Sequence, residues 1–396
     1  MNFQTSAKQI SKTIRDWRRS LHQIPEVGLH LPQTRQLICQ VLDHMHIPYQ
    51  TFEQHSGIVA HIGHTGNRCI AIRADMDALP IQEKTELPYQ SQNQNMHACG
   101  HDSHSAMLLG AAMLLKEQEA ALPGMVKLIF QSSEEYLPSG AAAMVKDGVL
   151  ENPHVDALIA LHVCVEPDIA CKSGTLMLKY GAACSAVDPL SLRIIGRGGH
   201  GSMPHTCIDP IAISAMVIHN LQFIINREIS VQHPSVLSFG TIQSGTGGDN
   251  IIPGEAQLLG TIRTTDAETR AYLMKRIEEV VHGTCTMMRA KAELDLTGGC
   301  PPVYNDDAIV QSVLSSAQSL FSADEICLEK EIWMASEDVG FFLEHVPGCL
   351  FKLYCPATHK DGSFYPLHNA KFCLDDEVLY KGSMLSAQAA FDFLNA

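Results

Sequence analysis

Helical periodicity runs over 7–23 and again over 32–45, and Pro25 and Gly28 break the chain between them, so two helices are predicted at the start. Three β-rich runs follow, at 49–53, 58–62 and 69–73. The pattern then reads as a helix over 105–119, a strand over 125–131, a helix over 139–150 and a wholly apolar strand over 157–163. Continuous apolar strands alternating with helices predict an α/β fold, a mixed sheet covered by helices on both faces.

The character changes near 181–185, a small-residue stretch suited to a hinge. Beyond it the order is strand 190–196, helix 209–227, strands 235–243 and 255–263, helix 266–289 and strand 291–296. That β-α-β-β-α-β order is the ferredoxin-like plan. A glycine- and proline-punctuated boundary at 298–302 closes it, and a strand at 350–354 and a helix at 377–393 complete the chain. The expected organisation is one discontinuous α/β domain (1–183 and 300–396) interrupted by an inserted α+β domain over 184–299.

Length and composition agree with two globular domains: 396 residues, 45% hydrophobic and 18% charged. No apolar run reaches the length of a membrane span, and the start of the chain lacks the apolar core of a secretory signal, so a cytoplasmic location is expected. The net charge of −15 argues against nucleic acid or an anionic membrane as partner. Thirteen cysteines without paired spacing read as reduced thiols, with room for a metal ligand among them.

Chemistry concentrates at predicted strand ends, where α/β sites gather. In the segment around Cys99-Gly100-His101-Asp102, thiolate and imidazole two residues apart can converge from an extended loop on a borderline-soft cation such as zinc. Taken alone, the pair equally fits a packed thiol beside helix-start histidines. Glu134 and Glu135 follow the strand over 125–131, and adjacent residues of an extended chain face opposite ways. One carboxylate can hold metal while the other faces water, the division that metal-assisted hydrolysis needs. Asp75, Asp77, His162 and His368 occupy similar strand-end or loop positions. His200, in a glycine-rich stretch, could donate to an oxyanion or simply sit exposed in a turn. Nucleophile-elbow, phosphate-loop and H-E-x-x-H patterns are absent, and the glycines at 196, 198 and 201 open no helix of a dinucleotide fold. A thiol nucleophile at Cys99 would leave the glutamates and distant histidines unexplained.

These stretches resemble the dinuclear metallopeptidase superfamily of aminoacylases and glutamate carboxypeptidases. The likeness is to the branch with hippurate hydrolase, N-acetyldiaminopimelate deacetylase and the plant indole-acetyl-amino-acid hydrolases. It extends from Arg19-Ser20-Leu21-His22 through Asp75-Met76-Asp77, the Cys99/His101 segment, Glu134-Glu135, His162, Gly199-His200-Gly201, Asn250, Arg263 and Ser336-Glu337-Asp338 to Leu367-His368. The resemblance implies that Cys99, His101, Glu135, His162 and His368 hold two divalent ions, with Cys99 bridging them. The ions would be zinc or manganese, with cobalt or nickel also usable in this branch. Glu134 would be the general base toward a metal-bridging water, and Asp75 and Asp77 would support the site. His200 would stabilise the oxyanion from across a dimer interface, and Asn250 and Arg263 would hold the substrate carboxylate. The inserted domain would be a lid that also forms a homodimer. The implied reaction is hydrolysis of the amide of N-acyl-L-amino acids. A dipeptidase or carboxypeptidase, or a metal-containing binder without catalysis, stays open. Pocket residues near Met203, Trp333 and Val339 would separate the first two.

Overall fold

A computed structural model describes residues 3–64, 66, 68–166, 171–359 and 361–396. The chain forms two compact units. Unit 1 comprises Met1–Ala183, Tyr304–Glu331 and Asp338–Ala396; unit 2 comprises Cys184–Val303 and Ile332–Glu337.

The principal strands, in chain order, are β1 (Tyr49–Thr51), β2 (Ile58–Gly63), β3 (Cys69–Asp75), β4 (Met125–Gln131), β5 (Ala157–Cys164) and β6 (Thr175–Leu178). They continue with β7 (Asp188–Ile195), β8 (Val236–Ser244), β9 (Glu255–Arg263), β10 (Lys291–Asp295), β11 (Ile326–Leu328) and β12 (Gly348–Tyr354). The main helices are α1 (Ser11–His22), α2 (Pro32–His44), α3 (His101–Glu117), α4 (Gly140–Lys146), α5 (Pro210–Arg227), α6 (Ala267–Met287), α7 (Asp307–Leu320) and α8 (Tyr380–Asn395).

Unit 1 is built on an eight-stranded mixed sheet of order β1-β2-β4-β3-β5-β12-β6-β11. Strands β3, β4, β5 and β12 run parallel, whereas β1/β2, β2/β4 and β12/β6 pair antiparallel. Every residue of β3 and β5 is buried, as expected of strands covered on both faces. Helix α3 packs on the sheet and against α1 and α8, and is buried on nearly all sides.

Unit 2 carries a four-stranded antiparallel sheet, order β8-β9-β7-β10, with α5 and α6 packed on it. Burial alternates along β7, and Leu190, Leu192 and Ile194 face the helices. Asp209 and Asp266 cap the two helices, accepting backbone N–H groups of their first turns. Strand order and connections are ferredoxin-like. Among the described residues no helix is long and apolar enough to cross a membrane.

Two local expectations are corrected. The helix expected from 105 begins at His101, because Gly100, with φ of 89°, turns the chain immediately before it. The helix expected over 139–150 ends at Lys146. The small-residue stretch at 181–185 is largely strand, Gly181–Cys184, and the division between the two units falls within it.

Candidate metal centre

Because β3, β4 and β5 are parallel, their carboxyl ends share one edge of the sheet. Asp75 pairs in register with Gln131 there, and Asp77, Glu134, Glu135 and His162 extend from the same edge. The Cys99 loop enters between them. Gly100 is required at its turn: its φ is left-handed, and an added Cβ would lie 2.6 Å from Val163 Cγ2. The loop thereby delivers Cys99 from a bend and His101 from the first helical position.

Cys99, His101 and His162 have ligand atoms all within 4.8 Å of one another, and so do Cys99, Glu135 and His368. Cys99 belongs to both groups. His101, Glu134 and Glu135 form a further group. Cys99 Sγ lies 3.5 Å from His162 Nε2, and His368 Nε2 lies 3.2 Å from Glu135 Oε1. All five residues expected to bind metal are thus brought together, with Glu134 beside them. His368 adopts a left-handed backbone, φ 63°, and Ser133, just before the two glutamates, one of 56°. Such conformations persist where the surroundings over-determine them.

The supporting carboxylates divide their work. Asp77 Oδ1 is 3.3 Å from His101 Nδ1 and accepts the Glu134 N–H at 3.0 Å, while Oδ2 accepts the Glu135 N–H at 3.1 Å. That leaves His101 Nε2 directed at the centre. Asp75 instead faces His104, 2.6 Å from its Nδ1. His104 Nε2 accepts the Val163 N–H at 2.9 Å, so the proton is assigned to Nδ1. Both His104 nitrogens are engaged, and it is a brace rather than a ligand.

The charge pattern fits a cation. Burial pushes the Cys99 thiol well up, and Glu135, Glu134 and Asp75 push it further. Burial opposes charge on His101, yet Asp75, Asp77 and Glu135 outweigh it and lift the imidazole to about 10. His101 Nε2 is also buried without a hydrogen-bond partner among the described residues. A field that draws a proton to that nitrogen draws a divalent cation too, and binding releases the proton. Soft sulfur, imidazole and carboxylate donors together suit zinc and related metals. A thiol lifted in this way is the opposite of an activated nucleophile.

In unit 2, His200 is exposed, and its Nδ1 accepts from the Ser202 N–H at 3.1 Å and lies 2.9 Å from Ser202 Oγ. This assigns the ring proton to Nε2, leaving an outward donor. Asn250 is exposed, and its carbonyl accepts the Gly201 N–H at 2.7 Å, keeping it beside His200. Arg263 ends β9, half-buried, and burial lowers the pKa of its guanidinium.

Residues 71–392 match the model of peptidase family M20/M25/M40. The chain belongs to peptidase family M20. An N-acetyl-L-cysteine deacetylase of Bacillus subtilis is 35% identical over 398 residues, covering 100% of this chain and 91% of that one. Thermostable carboxypeptidase 1 of Saccharolobus solfataricus is 33% identical over 404 residues, all of both chains. The crystal structure of a Bacillus subtilis dinuclear metal binding peptidase from the M20 family superposes with a TM-score of 0.81 at 32% identity, covering 98% of this chain and 99% of that one. This M20 protein is therefore a metallohydrolase of the amidohydrolase and deacetylase branch with a dinuclear metal site, its catalytic α/β unit joined to a lid-type unit.

Two features of this site escaped the sequence reading. One is the double hold of Asp77 on His101 and on the glutamate pair. The other is Asp338, whose carboxylate lies among Arg73, Gln131 and Ser139. The Ser336-Glu337-Asp338 motif flagged the position, but partners at such sequence separation have no local signature.

Proposed function

We propose that this protein hydrolyses the amide of N-acyl-L-amino acids to a carboxylic acid and a free amino acid, with Glu134 as general base. The observation that carries the reading is the pair of ligand groups sharing Cys99, with the Glu134 carboxylate at their side. Cys99, His101, Glu135, His162 and His368 would hold two divalent cations, zinc or manganese first, which when bound polarise a carbonyl and acidify water. Glu134 takes the proton of the attacking water and returns it to the leaving nitrogen, so one carboxylate serves as base and then acid. Asp77 keeps the Glu134 backbone and the His101 ring in place, and Asp75 holds His104, which accepts the Val163 N–H. His200, its Nε2 proton fixed by Ser202, donates to the developing oxyanion, delivered across a homodimer formed by unit 2. Asn250 and Arg263 receive the substrate carboxylate, the planar guanidinium pairing with both oxygens.

The deacetylase relative supports an acyl substrate, and the carboxypeptidase relative favours a second reading in which the acyl group is itself a peptide or amino acid. Both substrates present an amide beside a free α-carboxylate, so Arg263 serves either. A panel of N-acyl amino acids and dipeptides, assayed with metal-reconstituted protein with and without chelator, separates them. Chelator-sensitive release from N-acyl substrates is expected. Release from dipeptides alone establishes the second reading, and no release with metal bound refutes both.

A further inference from the structure

We propose that Asp338 is a positioning residue that aims the Glu134 carboxylate, acting through its own backbone N–H; this rests on Glu134 being the base. The Asp338 N–H donates to Glu134 Oε1 at 3.3 Å. What fixes that N–H is the burial and anchoring of the Asp338 side chain, which is 3% exposed.

Four groups converge on it. Oδ1 accepts from Arg73 Nη2 at 2.8 Å and from Gln131 Nε2 at 2.7 Å. Oδ2 accepts from Gln131 Nε2 at 2.8 Å, from Ser139 Oγ at 2.6 Å and from the Ala141 N–H at 3.3 Å. Arg73 is itself locked by Asp75 at 2.9 Å and by Gln131 Oε1 at 2.8 Å. The anchor thus ties β3, the end of β4 and the start of α4 to one carboxylate. Gly140 lets these segments meet, since a Cβ there would fall 1.5 Å from Ser132 O.

The Glu134 backbone is held by Asp77 and its side chain by Asp338, so the base is gripped at both ends. A base must lie within hydrogen-bond reach of the proton it takes, and a misplacement near 1 Å costs about 100-fold. Asp338 touches neither substrate nor cation in this account. Its effect passes wholly through Glu134.

The test is a double-mutant cycle on metal-reconstituted protein with an N-acyl substrate. Asp338→Asn is expected to lower kcat by about 10- to 100-fold, with KM and bound metal unchanged. In a Glu134→Gln background the same substitution is expected to change the residual rate less than about twofold. Ser139→Ala, which removes one anchor, is expected to lower kcat by a smaller factor, and Ser139→Thr, which keeps the hydroxyl, to restore it. This pair decides the matter if Asp338→Asn does not fold. Equal losses in both backgrounds, or a loss confined to metal content or KM, overturn the positioning role while leaving Glu134 as base. Near wild-type turnover of Glu134→Gln alone overturns the base assignment and the positioning role with it.

Discussion

Most candidate site groups of unit 1 are held differently from those of unit 2, the exposed His368 of unit 1 excepted. In unit 1, His101, His162, Asp75 and Asp77 are buried, and each is braced by a neighbouring side chain or backbone group. In unit 2, His200 stands exposed at the end of a two-residue strand and Asn250 on a turn, and Arg263 is half in solvent. Burying carboxylates and imidazoles together is costly unless charge is neutralised, so the unit 1 cluster suits a resident cation. The exposed unit 2 groups remain open to solvent, which fits the proposed role toward a substrate that comes and goes.

The sharpest way to break this contrast is to remove the shared donor. Cys99→Ala should drop bound metal below two ions per chain and cut turnover by more than about 100-fold, beyond the usual cost of losing an outer partner. Elemental analysis checks it, and full metal content would show that the thiol is packing rather than a ligand. Next in size is Asp77→Asn. It weakens the hold on His101 and on the glutamate pair together, so a fall of about 10- to 100-fold in metal affinity or rate is expected. Chelator titration separates the two. A variant indistinguishable from wild type in both would mean that Asp77 braces nothing that matters.

Much of this was legible in the residues. The strand end at Gln131, and that at Cys164 to within one residue, could be read from apolar runs bounded by polar groups, and the ligand types near them suggested metal. Unit 2 was readable because its alternating strands and Asp-capped helices are local signals. What escaped depends on topology. β6 and β11 are short, four and three residues, and owe their existence to partners far away in the chain. The choice of Asp77 over Asp75 as the partner of His101 turns on the chain's path just past β3, which the motif Asp75-Met76-Asp77 does not reveal. The early start of α3 at His101 hinges on one left-handed glycine, and Gly100 could as readily have been an ordinary loop residue.

The unit 2 side of the comparison should respond in KM rather than in metal content. Arg263→Lys keeps the charge and loses the planar fork. It is expected to raise KM by about 10-fold, the worth of ~1.4 kcal/mol, with kcat nearly unchanged. Steady-state kinetics on an N-acyl amino acid and on its carboxamide counterpart make the point. If the carboxamide is the poorer substrate of the wild type and the two converge in the variant, the guanidinium reads the carboxylate. Equal KM values for both enzymes would remove Arg263 from the substrate's path.

The smallest effect is expected at Ser202, and its smallness is informative. His200 Nδ1 has two neighbours from the same residue, the Ser202 N–H at 3.1 Å and the Ser202 hydroxyl at 2.9 Å. Ser202→Ala removes the hydroxyl and leaves the backbone donor, which by itself holds the proton on Nε2. A single net hydrogen bond is worth ~1 kcal/mol, so kcat should fall less than about fivefold. His200→Ala, which removes the donor outright, should cost far more. Were Ser202→Ala as damaging as His200→Ala, the hydroxyl would have to touch the substrate itself. The exposed turn would then be part of the chemistry rather than the mount for one imidazole.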